Sequence, residues 1–81
     1  MKLIWEVHWD DAWVSCEDLT KAEAKKLKSV KRTTIGYFVE STEEGVVLCT
    51  DFFTKEPESI NTVMFIPWGM ISQAYELEIK D

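Results

Sequence analysis

Residues 33–53 read TTIGYFVESTEEGVVLCTDFF, and their pattern indicates the architecture of the chain. Apolar and polar side chains alternate with a period of two on both sides of a short polar stretch that ends in Gly45. This period is typical of β-strands, and a polar connection that contains glycine is typical of a hairpin. The pattern therefore predicts two antiparallel strands, at about 33–41 and 45–53.

The N-terminal residues 3–9 show the same alternation, with apolar side chains at the odd positions. Trp5, Trp9 and Trp13 are also spaced by four, as on one side of a helix. β-favouring neighbours such as Val7 fit a strand better, so a strand is predicted here.

Two more strands are predicted towards the C-terminus. Residues 62–66 form a short, mainly apolar run, and Pro67-Trp68-Gly69 marks a turn into the last strand. That strand has the most regular alternation in the chain. One of its faces is expected to carry Ile71, Gln73, Tyr75, Leu77 and Ile79.

Residues 10–32 break the alternation and predict one short helix at about 17–28. Thr20 and Glu23 have the spacing of a capping box, and the alanines and lysines around them favour helical structure. Acidic residues at the start and lysines at the end also suit the helix dipole. Because the apolar stripe is thin, we expect this helix to lie on the surface of the fold.

Five short antiparallel strands predict a mainly β fold in a single domain, residues 1–81. Apolar side chains occupy both faces of several strands, so the sheet must curl on itself or be covered. Connections of this length suit a strongly bent five-stranded sheet or a small barrel of the SH3-like or OB kind. The apolar side chains on nominally polar faces are Phe38, Val47, Phe53, Val63 and Phe65.

The chain has 81 residues and a formal charge of −6, which excludes several classes of protein. It is too short for a large enzyme with a buried cofactor cleft, and a domain of this size buries only about 60–65% of its unfolded surface, which favours self-association. The net charge argues against a protein that coats nucleic acid or anionic lipid by net charge alone. The charge is uneven, however, because residues 21–32, the basic segment, carry +5 and the rest of the chain −11.

The two cysteines, Cys16 and Cys49, predict neither a disulfide framework nor a zinc site. They lie 33 positions apart and lack a CxxC or Cys/His pattern, so reduced thiols are expected. The first residues mix charged with apolar side chains, unlike a signal peptide, and no apolar run reaches membrane-spanning length. We expect a cytoplasmic protein without cofactor, metal or membrane partner.

Residues with catalytic chemistry are sparse, and no catalytic residue is assigned. His8 would share a strand face with Asp10, but a half-exposed strand histidine is the common case. The adjacent carboxylates Asp10-Asp11 and Glu43-Glu44 are conceivable cation ligands, yet such pairs are usually solvated. Acidic neighbours of the cysteines disfavour a reactive thiolate. The sequence therefore favours a non-enzymatic protein.

The basic segment and an aromatic turn are the candidate binding features. Lysines on successive helical turns would contact phosphates without reading bases, and a solvated, solubilising surface is the alternative. Trp68 beside Gly69 would stack a base, unless the indole completes the core or a subunit contact. The candidate nucleic-acid-binding residues are Lys21, Lys25, Lys26, Lys28, Lys31, Arg32, Trp68 and Gly69.

The C-terminal half of the chain resembles Sm and Sm-like proteins. Residues 64–77, MFIPWGMISQAYEL, are similar to the second Sm motif, in which an apolar strand, a basic residue, a glycine and another apolar strand follow one another. Residues 36–38 (GYF) and 45–48 (GVVL) are similar to a degenerate first motif. The whole chain, including residues 9–12 (WDDA), also resembles small uncharacterised proteins of phage and marine environmental origin.

The resemblance implies a strongly bent sheet that forms a homo-oligomeric ring of roughly five to seven subunits by edge-to-edge strand pairing, with RNA around the pore. Here an acidic loop, residues 42–46, and Trp68 stand where the family has its RNA pocket and a cation. We therefore expect the basic segment, rather than the pore, to bind RNA or single-stranded DNA. The alternative is a phage-derived structural or protein-interaction ring that contacts no nucleic acid.

Overall fold

A computed structural model describes residues 3–54 and 59–78 and contains one five-stranded antiparallel sheet. Along the chain the elements are β1 (Ile4–Asp11), α1 (Lys21–Ala24), β2 (Val30–Ser41), β3 (Gly45–Phe53), β4 (Ser59–Pro67), a 3-10 turn (Trp68–Met70, the linker turn) and β5 (Ile71–Leu77). Their spatial order is β4-β3-β2-β1-β5. The predicted mainly β, five-stranded fold is confirmed. Among the described residues β4 and β5 do not pair with each other, so the bent sheet is not closed into a barrel.

The helix is shorter than the predicted range of 17–28, since α1 contains only four residues. The predicted capping box is present: Thr20 Oγ1 accepts from the Glu23 amide, and Glu23 Oε1 accepts from the Thr20 amide, each over 3.2 Å. All four helical residues are exposed, so no tertiary burial supports further turns, and isolated short helices are marginal in water. In the described part of the chain, no helix is long and apolar enough to cross a membrane.

β2 is the central strand and takes part in two ladders. Its residues 30–37 pair with β1, and its residues 37–41 pair with β3. The register shifts between Phe38 and Glu40, which marks a β-bulge near the change of partner. Gly36 lies just before this point, and a Cβ there would sit 2.9 Å from the carbonyl oxygen of a β3 residue. Glycine and bulge together allow the close strand approach that a bend requires.

The short connection between the two edge strands forces the sheet to bend. Pro67 ends β4 beside the start of β3, whereas Ile71 begins β5 opposite Trp9. The chain advances four residues from Pro67 to Ile71 and spans at most about 14 Å. In a flat sheet these two points would lie about 30 Å apart along β2. A 3.7 Å hydrogen bond from Thr34 Oγ1 to Met64 Sδ joins β2 to β4 across the inner side of this bend.

The hydrophobic core lies on the inner face of the sheet and is small. Trp5 stacks on Phe38 at its margin, with ring centroids 4.8 Å apart. Trp9 packs against the same cluster and donates its indole N–H to Thr34 Oγ1 over 3.0 Å. The buried residues of this cluster are Val7, Val46, Leu48 and Ile66.

The predicted face of β5 is divided in the structure. A register shift opposite His8 and Trp9 leaves Ser72 without a directly opposed residue. Ile71 therefore lies opposite Trp9 and packs on the inner cluster, whereas Gln73 lies opposite His8 on the other face. The expected common face was wrong because one extra residue in a strand exchanges the faces of all residues beyond it. Ile79 lies outside the described residues.

The outer face of the sheet exposes apolar side chains, whereas the sequence predicts that a sheet with two apolar faces curls on itself or is covered. Ile35 on β2 and Val63 and Phe65 on β4 are each about half exposed. The molecule is also elongated, with a Cα radius of gyration of 16.5 Å. A compact domain of this length has about 12 Å. The isolated chain thus leaves much of its surface in water.

Candidate nucleic-acid interface

Four lysines of the basic segment lie together on the connection from β1 to β2. Lys21 begins α1, Lys25 follows its last residue, and Lys26 and Lys28 continue towards β2. All four are exposed, and in the described residues no carboxylate lies within 4.0 Å of their ammonium groups. Glu23, the acidic residue of the segment, is engaged in the capping box. Residues 21–28 therefore carry a net charge of +3, while Glu17 and Asp18 lie earlier on the same connection.

Lys31 and Arg32 differ from these lysines because they lie on β2 and carry ion-pair partners. Lys31 Nζ is 3.2 Å from Asp10 Oδ1, and Arg32 Nε is 2.8 Å from Asp11 Oδ2. The Arg32 guanidinium also lies over the Trp9 ring, 5.9 Å from its centroid. Asp10 and Asp11 thus act as partners of two cations, whereas the sequence suggested solvated carboxylates. Exposed pairs of this kind are worth about 0.2–1 kcal/mol, so a phosphate is able to compete for the cations.

Trp68 and Gly69 lie on the linker turn, against the loop between β2 and β3. The Trp68 indole N–H donates to the Thr42 carbonyl oxygen over 2.8 Å, and its amide donates to the Glu44 carbonyl oxygen over 3.1 Å. The indole therefore holds a loop that also contains Glu43, and carboxylates there repel phosphate. A Cβ at Gly69 would meet nothing within 4 Å, so the space beside it is open. Base stacking by Trp68 stays a prediction.

His8 lines a polar cleft of about 270 Å³ where β1, β2 and β5 meet. Its Nε2 lies 2.6 Å from Glu6 Oε2, and its Nδ1 lies 3.2 Å from Thr33 Oγ1. The ring also packs edge-on against Tyr75, with centroids 5.8 Å apart. His8 is thus held by structural contacts, and Asp10, which would share its strand face, binds Lys31 instead. Among the described residues, no three His, Cys, Asp or Glu side chains converge as metal ligands would.

Trp13 lies beside the lysines, although the sequence analysis assigned it no role in binding. Its indole N–H donates to the Lys28 carbonyl oxygen over 2.6 Å, which joins the start of the connection to its end. The ring is about half exposed and lines an open groove of about 300 Å³. The groove is formed by Ala12, Trp13, Leu27, Lys28 and Ser29. A tryptophan within the same connection as a lysine cluster was the available sequence signal.

The structure thus divides the predicted site. The six cations lie on the connection and the first residues of β2, while Trp68 and Gly69 lie against the acidic loop. Comparison of the chain with family models, with curated proteins and with solved structures finds no match.

Proposed function

We propose that the chain is the subunit of an Sm-like homo-oligomeric ring that binds RNA or single-stranded DNA and acts in nucleic-acid processing in the cytoplasm. The role is binding without catalysis. The observation that carries the proposal is the exposed group of Lys21, Lys25, Lys26 and Lys28 on one connection of an otherwise acidic chain. A cationic surface on an acidic body attracts a polyanion locally and repels it elsewhere, so contact is confined to that surface.

The phosphate backbone is the part of the ligand that these lysines suit. Lysine contacts phosphate as a point charge and reads no base sequence, so binding is expected to tolerate different sequences. Each phosphate neutralised on a single strand contributes about −0.7 to the slope of log K against log salt. Four lysines in contact would therefore give a slope of about −2.8 per subunit.

Two features support assembly into a ring. Among the described residues, β4 and β5 each pair on one side only, so their outer backbone groups are available to a neighbouring copy. Pairing β4 of one copy with β5 of the next is a head-to-tail contact, and such contacts form a ring when the rotation between copies closes.

The accessible surface is the second feature. It amounts to 6634 Å², whereas a folded chain of this mass exposes about 5,000 Å². The excess of about 1,600 Å² is of the size that contacts with neighbouring copies cover. Every subunit of a ring has two such contacts.

The binding test uses fluorescence anisotropy with labelled oligo(dT) and oligo(U) at salt concentrations between about 50 and 200 mM. Replacing Lys25, Lys26 and Lys28 by alanine should weaken binding by up to about 100-fold at 0.1 M salt and reduce the slope by about 2. The matched control replaces Lys2, Lys55 and Lys80 by alanine, which removes the same charge outside the basic segment. An equal loss in both variants would show that net charge alone governs binding. Undetectable binding of the unmodified protein at low salt would refute nucleic-acid binding.

The assembly test is light scattering on the purified protein. A ring of roughly five to seven subunits has a mass of about 47–66 kDa, compared with 9.4 kDa for one chain. A monomer at micromolar concentration would contradict the ring.

A protein-interaction ring is the second candidate, and the exposed outer face favours it. Ile35, Val63 and Phe65 are large apolar side chains left about half exposed, and protein partners cover side chains of this kind. An oligomer of ring mass that binds neither oligonucleotide at low salt would favour this candidate.

A further inference from the structure

Trp13 combines an exposed ring with a fixed position. Its indole N–H is committed to the Lys28 carbonyl oxygen over 2.6 Å, so the ring is oriented by a hydrogen bond. About half of the side chain is nevertheless exposed. A large apolar ring that is fixed and left in water is unusual, because tryptophan normally contributes to stability by burying its area. Such a ring is preorganised for a flat ligand.

The groove beside Trp13 has the shape and lining that a planar, partly apolar group requires. Leu27 and the indole provide apolar surface, and the groove is open to solvent over much of its extent. Its volume of about 300 Å³ is at the lower end of the range for small-molecule pockets. A single aromatic ring carried by a flexible polymer fits this volume and this open shape better than a small molecule that must be enclosed on all sides.

The charge around the groove indicates which polymer would occupy it. Lys28 lines the groove directly, Lys25 and Lys26 lie within three positions of it in sequence, and the lining contains no carboxylate. Of the acidic residues near the groove in sequence, Asp10 and Asp11 are paired with Lys31 and Arg32, while Glu17 and Asp18 are exposed on the same connection and do not line the groove. An aromatic platform next to cationic side chains is the combination with which proteins hold single-stranded nucleic acid.

We propose that Trp13 is the base-stacking platform of the nucleic-acid site, where one base of a single strand stacks on the indole while Lys25, Lys26 and Lys28 contact the flanking phosphates. This inference rests on the proposed binding of nucleic acid by the basic segment. It adds that the site holds one base of the ligand as well as its phosphates. A duplex is disfavoured, because its bases are already stacked on one another.

The test compares a normal oligo(dT) with an abasic oligonucleotide of the same length, which keeps the phosphates and lacks the bases. Trp13→Ala should weaken binding of oligo(dT) by about 5- to 150-fold, the range produced by losing one stacked base. It should leave binding of the abasic oligonucleotide unchanged. Trp13→Phe keeps a ring and should retain most of the affinity. Val14→Ala, at an exposed apolar neighbour outside the groove, should have no effect.

Each other outcome has a distinct meaning. If Trp13→Ala weakens binding of both oligonucleotides equally, Trp13 only positions the lysines and the stacking role is wrong. If Trp68→Ala reduces oligo(dT) binding while Trp13→Ala does not, the platform is in the linker turn. If the unmodified protein binds oligo(dT) and Trp13→Ala binds it equally well, the inference fails and the proposed function stands. If the unmodified protein binds neither oligonucleotide at low salt, both fail.

Discussion

Removing the two carboxylates that pair with the strand cations should strengthen nucleic-acid binding. In Asp10→Asn with Asp11→Asn, Lys31 and Arg32 lose the partners that lie 3.2 and 2.8 Å away. Both cations are largely exposed, with side-chain exposures of 86% and 57%, so they become available to phosphates. The stability cost is small, because two exposed pairs together contribute about 0.4–2 kcal/mol.

The size of the gain follows from counterion release. Two additional phosphate contacts steepen the slope of log K against log salt by about 1.4. They raise the affinity by up to about 25-fold at 0.1 M salt. Arg32 also lies over the Trp9 ring, and if that contact holds it in place only Lys31 is released. The slope then changes by about 0.7 and the affinity by about 5-fold.

The assay is the anisotropy titration with oligo(dT) at several salt concentrations, and it needs a variant with the same charge change elsewhere. Asp51→Asn with Glu76→Gln removes two negative charges at exposed positions of β3 and β5, outside the candidate binding residues. If this control strengthens binding as much as the aspartate variant does, the effect comes from net charge. An unchanged slope in the aspartate variant would place Lys31 and Arg32 outside the interface.

Three further predictions concern the fold that positions the site, and urea unfolding measures the first two. Leu48→Ala should lower the free energy of unfolding by about 3–5 kcal/mol, because this side chain is fully buried in a small core. Gly45→Ala should lower the free energy of unfolding by about 1–3 kcal/mol, because a Cβ there would meet the β4 backbone. The control Gly69→Ala has open space around it and should be neutral. Equal effects of the two variants would contradict the close pairing of β3 with β4 at Gly45. Trp68→Phe removes the donor to the Thr42 carbonyl oxygen and should lower the free energy of unfolding by about 1 kcal/mol. Hydrogen exchange should show faster exchange of the backbone amides in the loop between β2 and β3. Unchanged exchange would show that the indole does not hold this loop.

The strands were predictable because they depend on local sequence. The alternation in residues 33–53 reports the two-residue period of an extended chain, and the structure places β2 and β3 there. The capping box at Thr20 and Glu23 was equally predictable, since its hydrogen bonds join residues three positions apart. The length of the helix was not, because helical turns beyond the cap need burial, and α1 is exposed.

The partners of the charged and aromatic side chains could not be predicted from local pattern. Lys31 meets Asp10 only because β1 and β2 pair in a register that places them directly opposite each other. Ile71 and Gln73 face opposite sides because a bulge in β5 exchanges the faces. Trp68 reaches Thr42 over 26 positions because β3 and β4 pair in a register that places Pro67 opposite Gly45, next to the hairpin loop.

The sequence by itself determined the strand content, the helix cap and the separation of a basic segment from an acidic body, because period, short-range hydrogen bonds and charge are properties of neighbouring residues. Only the tertiary structure decided that Lys31 and Arg32 form ion pairs and that Trp13 lies beside Lys28. Those outcomes depend on register and bend, through which residues distant in sequence come within hydrogen-bond distance. Four lysines and Trp13 therefore share one connection, while two cations and Trp68 are committed to partners elsewhere in the fold.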